Sequence, residues 1–249
     1  MEENKKFYMS KSRMGTYESC PLSYKFSYID KHQTGNQATE IGTDVHDFIE
    51  EIFEVIKPQS DGTFQDIGKL KLFPNTKYKQ NVLLFEQERW KSICEKGLDE
   101  SYFFPVYCED KYRDEENELV GIVDRVHKCH KDDKFVCELE GFNDGDLVIV
   151  ENKSGSYSKQ KSINYEEELL WYRMLIKKNF NIDIRWACIY FPFTNRVHYI
   201  DLNAPKFNIE ELQQRIKFVR ENIISGYFPP EPSWKCKMCF HKNNCDFGK

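Results

Sequence analysis

No run of this chain approaches the ~20 consecutive apolar residues of a membrane-spanning helix. The longest apolar stretch, Trp186 to Phe193, has the length of one buried strand. The opening MEENKKFYMS lacks the apolar core of a secretory signal, so an intracellular, cytoplasmic location with no membrane partner is expected. An excess of positive charge is also missing. The net charge of −5 argues against a protein that coats nucleic acid by charge alone. It does not exclude an enzyme acting on phosphates, because metal-binding carboxylates lower the apparent charge and bound ions restore positive potential. Internal repeats and low-complexity segments are absent too. A disulfide framework is excluded by an odd cysteine count, nine, without a secretion signal.

What remains is an ordinary globular composition, 40% hydrophobic and 31% charged over 249 residues, enough for one large domain or two small ones. Ser10-Lys11-Ser12 caps a short helix that Cys20-Pro21 interrupts, and Leu22, Tyr24, Phe26 and Tyr28 suggest another short helix or turn. After a polar link, 31–39, Val45, Phe48, Ile49, Ile52, Phe53 and Ile56 recur at helical spacing over 42–57. Residues 58–79 read as a loop, and 80–97 as a helix carried by Val82, Leu83, Phe85, Trp90 and Ile93. From about 101 the period changes to two, and 101–112, 117–129, 134–140 and 146–152 read as strands. A helix over 165–178 follows, then strands 183–192 and 196–202 joined at Thr194-Asn195, and a helix 207–225 ending at Gly226. The expected fold class is α/β: a mixed central sheet flanked by helices, in one domain over 1–249. Its parts are a helical portion (1–100), a sheet core (101–228) and a cysteine-rich tail (229–249).

Two apolar runs end in carboxylates. Leu119-Val120-Gly121-Ile122-Val123 leads to Asp124, and Leu147-Val148-Ile149-Val150 leads to Glu151-Asn152-Lys153. Residues i and i+2 of a strand share a face, so Glu151 and Lys153 point one way and Asn152 the other. If the strands are neighbours, Asp124, Glu151 and Lys153 converge. Two carboxylates beside an ammonium are costly at the end of buried strands, and a divalent cation with oxygen ligands, magnesium or manganese, offsets the repulsion. Lys153 beside it can orient or help deprotonate a water and stabilise charge on a phosphorane-like transition state. For either strand alone, a strand-end ion pair is the simpler explanation.

Taken in order, Gly42-x-x-x-His46, Gly121-Ile122-Val123-Asp124-Arg125, Glu151-Asn152-Lys153-Ser154-Gly155 and Tyr165-x-x-Glu168-Leu169-x-x-Tyr172 resemble the PD-(D/E)XK nucleases of the RecB type. The likeness runs from Ser10 to Cys245. It implies a restriction-endonuclease-like core and a Mg²⁺- or Mn²⁺-dependent deoxyribonuclease working on single-stranded DNA or DNA ends in recombination, repair, or phage or CRISPR DNA processing. A helicase, recombinase or integrase is the implied kind of partner. His46, Asp124 and Glu151 become metal ligands with the Asn152 carbonyl, and Lys153 the catalytic lysine. Tyr172, Glu168 and Arg125 become residues that contact DNA or support the site. A non-catalytic assembly subunit that keeps the fold is the alternative.

Two departures from the family pattern stand out. Glutamine is usual where this chain has Glu168, whose carboxylate can approach the metal through water, repel phosphate, or pair with Lys153. The 27 positions between Asp124 and Glu151 are also more than usual. A strand inserted around 134–140, followed by the Asn143-Asp144-Gly145 turn, accounts for them. Glu138 and Glu140 of that insert rank below Glu151, because neither precedes x-Lys.

Cys236-x-x-Cys239 and Cys245 put three soft ligands in ten residues, and Cys20 is the distant fourth. Iron–sulfur members of the resembled family, the AddB group and the CRISPR-adaptation nucleases, show one early cysteine and three after the last helix. The resemblance therefore implies a [4Fe–4S] cluster joining the two chain ends, with structural Zn²⁺ as the alternative, held by the same four cysteines or with His241 in place of Cys20. Trp234, Lys235, Lys237 and Lys242 around it suit either a DNA grip or a solvated face.

Overall fold

The computed structural model describes residues 7–32, 37–72 and 74–248, so residues 33–36 of the expected polar link lie outside the described residues. The chain divides into two compact units. One falls within 1–36, 114–120 and 208–249, the other within 37–113 and 121–207.

The first unit is helical. Helix α1 (Lys11–Ser19) starts where the Ser10 hydroxyl accepts the Arg13 amide at 3.3 Å. Pro21 opens α2 (Pro21–Tyr24), which runs into a π-turn, Lys25–Ile29. The tail docks here: the Leu22 amide donates to the Pro229 carbonyl, and the Tyr17 hydroxyl to that of Tyr227.

The second unit begins with α3 (Gln37–Val55). The expected loop then holds two short paired strands, β1 (Lys57–Pro58) and β2 (Phe64–Gln65). Helix α4 (Lys77–Glu95) precedes the main sheet of β3 (Tyr107–Asp114), β4 (Leu119–Lys128), β5 (Leu147–Asn152), β6 (Trp186–Phe191) and β7 (Arg196–Asp201). The strands lie in sequence order. β4–β5 and β6–β7 are antiparallel and β5–β6 parallel. A parallel pair needs a crossover, which α5 (Lys159–Phe180) supplies. β6 is buried along its whole length, as a central strand covered on both faces must be. Val45, Phe48, Ile49 and Ile52 of α3 and Val82, Phe85 and Trp90 of α4 form one core with Val148, Val150, Cys188 and Tyr190. The chain closes with α6 (Ile209–Ile224), and Gly226, at φ 73°, follows it in the left-handed region that favours glycine. Among the described residues no helix is long and apolar enough to cross a membrane.

The strand expected at 134–140 does not form. Phe135 and Val136 are adjacent and both fully buried, which alternation along a half-buried strand forbids. Asp133 captures the amides a strand would need. Its carboxylate takes the N–H of Phe135, and its carbonyl those of Val136 and Cys137. The extra length between Asp124 and Glu151 is thus a packed run of turns, closed where expected by a turn at 143–146.

Candidate active site

Register brings the carboxylates together. Arg125 pairs with Val150 in the antiparallel β4–β5 ladder, so the next position places Asp124 opposite Glu151. Directly opposed residues share a face. Asp124 and Glu151 therefore lie on one face of the sheet, while Arg125 and Asn152 lie on the other. Gly121 lets α5 pack closely against β4, since a Cβ there would come within 2.8 Å of Leu175 and 3.2 Å of the Tyr172 ring.

Each carboxylate has one committed oxygen and one facing the site. Asp124 Oδ2 accepts the Asn152 amide at 2.7 Å and its side-chain Nδ2 at 3.3 Å, while Oδ1 lies 3.5 Å from Nδ1 of His46 on α3. Glu151 Oε1 accepts from Lys153 Nζ at 2.5 Å. Its Oε2 has no hydrogen-bond partner although Glu151 is only 3% exposed. An uncompensated buried carboxylate oxygen is expensive unless something positive meets it.

Lys153 bridges to α5. Its ammonium also donates to Glu168 Oε2 at 2.7 Å and sits 4.8 Å from the centre of the Tyr165 ring. Tyr172 donates to Glu168 Oε1 at 3.2 Å. Of the three roles open to Glu168, pairing with Lys153 is the one seen. Arg125 is fully buried, bonded to Glu86 and to the Asn152 side chain, a position that suits support of the site.

One residue of the cluster went unforeseen. Glu109 of β3 places Oε1 2.9 Å from His46 Nδ1. One ligand atom from each of His46, Glu109 and Asp124 lies within 4.8 Å of the others. Nothing in Cys108-Glu109-Asp110-Lys111 marks it, because an acidic residue on an edge strand is the default for a solvated position.

The crowding shows in the proton affinities. Burial raises the Asp124 carboxyl to about 6 and Glu109 adds to this, against the lowering effects of His46, the Asn152 amide and Lys153. Burial, with Asp124 beside it, holds Glu151 well above the usual carboxylate range. Burial opposes charge on Lys153, but Glu151 and Glu168 outweigh it and raise its pKa. Burial likewise opposes a charged His46, yet Glu109 and Asp124 raise it. The site thus carries more negative charge than its lysine offsets.

The cysteines Cys20, Cys236, Cys239 and Cys245 all line one cavity of about 750 Å³ in the first unit. The Cys236 sulfur accepts the Ser233 amide at 3.3 Å, and that of Cys239 the His241 amide at 3.4 Å. His241 lines the same cavity, with Nε2 2.8 Å from the Ser27 hydroxyl.

The family model described as the PD-(D/E)XK nuclease superfamily matches residues 8–246. No curated protein matches the chain.

Proposed function

From its membership of the PD-(D/E)XK nuclease superfamily, to which the chain belongs, we propose that the protein is a Mg²⁺- or Mn²⁺-dependent DNA nuclease of the RecB type acting on single-stranded or free DNA ends. The observation that carries this reading is the pair of buried carboxylates, Asp124 and Glu151, the second with Oε2 unpartnered and Lys153 on its other oxygen. These donors fit a hard divalent ion. His46, Asp124 and Glu151 would hold it, with the Asn152 carbonyl as the further ligand the family resemblance implies. When bound, such an ion polarises a phosphoryl oxygen and acidifies a water.

The protein's own groups supply the rest. The Asn152 amide fixes Asp124 so that Oδ1 stays turned to His46. Lys153, held as an ammonium by Glu151 and Glu168, suits charge stabilisation and proton donation at a phosphate oxygen better than proton abstraction. Glu168 and Tyr172 position that ammonium from α5.

The cysteine-lined cavity supports a structural [4Fe–4S] cluster within the first unit, since N–H donors to sulfur are a feature of such sites. Zinc held by His241 is the weaker fit, because the His241 Nε2 already engages Ser27.

The test uses anaerobically purified protein, with iron content and visible absorbance measured first. Mn²⁺ or Mg²⁺ should then support degradation of end-labelled linear DNA, with circular DNA as the comparison substrate. Lys153→Ala should abolish cleavage and leave the fold intact; equal activity in that variant overturns the site assignment. A second reading, a DNA-binding assembly subunit, is favoured by one observation: Glu168 ties up Lys153. Metal-independent DNA binding without cleavage of any DNA or RNA end would select it.

A further inference from the structure

Glu109 belongs to none of the motifs that order the site. It stands on β3, at the edge of the main sheet, with a non-glycine φ of 50°, and its side chain is 23% exposed. A histidine that ligates a metal commonly gives its other ring nitrogen to a carboxylate, which then orients the ring from behind. That is not the arrangement here. Glu109 Oε1 and Asp124 Oδ1 approach the same nitrogen, Nδ1, at 2.9 and 3.5 Å. Glu109 is therefore on the side of the ring that faces the other carboxylates.

The distances suit a shared ion. Two ligands at right angles around a cation ~2.1 Å away are ~3 Å apart, and two on opposite sides are ~4.2 Å apart. The three atoms of His46, Glu109 and Asp124 lie within 4.8 Å of one another, so shifts of a few tenths of an ångström close the shell. An independent feature points to the same ligand: Glu151 follows Val150 on the strand paired with that of Asp124, and its Oε2 is buried without a partner.

We propose that Glu109 is a direct ligand of the divalent cation, bound together with His46 and Asp124. This deepens the nuclease reading and rests on it for what the ion does, though not for whether the ion binds. A third carboxylate makes the set harder and more negative than His46, Asp124 and Glu151 alone, which favours Mn²⁺ and Mg²⁺ over softer ions.

The test measures Mn²⁺ affinity of the full chain by calorimetry, in the presence and absence of His46. Glu109→Gln should weaken Mn²⁺ binding by at least tenfold in the natural background and again in a His46→Ala background, because a ligand acts without the imidazole. An effect that vanishes once His46 is gone overturns the proposal, since Glu109 then works only through the ring. Unchanged affinity in Glu109→Gln overturns it as well. Thermal melts accompany each variant, and Glu109→Ala repeats the series should the glutamine variant melt early. Cleavage of end-labelled DNA is read separately. Glu109-dependent Mn²⁺ binding without any cleavage by the unmutated protein upholds the ligand and sinks the nuclease reading.

Discussion

The second unit buries charge twice, on opposite faces of one sheet, and the two clusters are built on different terms. Against α4, Glu86 bridges Arg89 and Arg125, Arg89 also holds Asp133, and Arg125 reaches Asn152. Both guanidiniums lie over the Phe135 ring, at 4.3 and 5.1 Å. Two carboxylates meet two arginines, so charge balances without help from outside, although Arg125 Nε lacks a partner. On the α5 face, Asp124, Glu151, Glu168 and Glu109 surround one lysine and one imidazole. The first cluster is balanced in charge as folded. The second has an orphaned carboxylate oxygen and surplus negative charge, which is what the proposed cation site requires. Buried charge alone therefore does not identify a functional site; unbalanced buried charge does. Asn152 joins the two: its Oδ1 accepts from Arg125, and its backbone and side-chain N–H groups donate to Asp124.

The sharpest break between the clusters should appear in activity. Lys153→Ala is expected to lower metal-dependent DNA cleavage by ~10³-fold or more in a protein that still folds, with a lowered melting temperature because Glu151 and Glu168 lose their counter-charge. Stability gives the next largest contrast. Glu86→Gln leaves two arginines short of an anion and should cost ~3–5 kcal/mol in denaturant melts. Glu151→Gln, the same change on the other face, should leave the metal-free protein as stable or more so by ~1 kcal/mol, because it removes like-charge repulsion. A comparable loss in both variants would erase the distinction.

A pH series sharpens it further. Asp124 is raised from the usual carboxylate value to about 6, so between pH ~4 and ~6 the folded metal-free state binds more protons than the unfolded one. That contribution to stability falls as pH rises through this window and is flat above it. A metal competes with the same protons, so stabilisation by Mn²⁺ should grow over the same interval, as melts with and without the ion will show. The raised pKa of Lys153 acts only in alkali, above its unfolded value of ~10.4, and does not disturb this window. The smallest effect belongs to Tyr172→Phe, which removes one hydrogen bond to Glu168 and should cost ~1 kcal/mol or less.

How much of this was legible in the sequence follows from the same physics. Asp124, Glu151 and Lys153 stood out because each carboxylate ends an apolar strand, and period two placed Lys153 beside Glu151. Register then had only one way to bring them together. The helices around 42–57 and 207–225 were legible from their periodicity and terminal residues. Glu109 was not, because its role depends on the neighbour an edge strand happens to face. The Glu86–Arg89 pair carries no mark in the sequence, since burial of a charged helical face is decided by tertiary partners such as Arg125 and Asp133. The strand expected at 134–140 failed for a local reason: Asp133 offers the following amides closer acceptors than any ladder.

One measurement bears on the central claim that the surplus charge exists to hold a divalent ion. The melting temperatures of the parent protein and Glu151→Gln are compared at neutral pH with and without millimolar Mn²⁺. The account predicts that Mn²⁺ raises the melting temperature of the parent by several degrees and leaves the variant where it was. Equal shifts in the two proteins, or none in the parent, would contradict it.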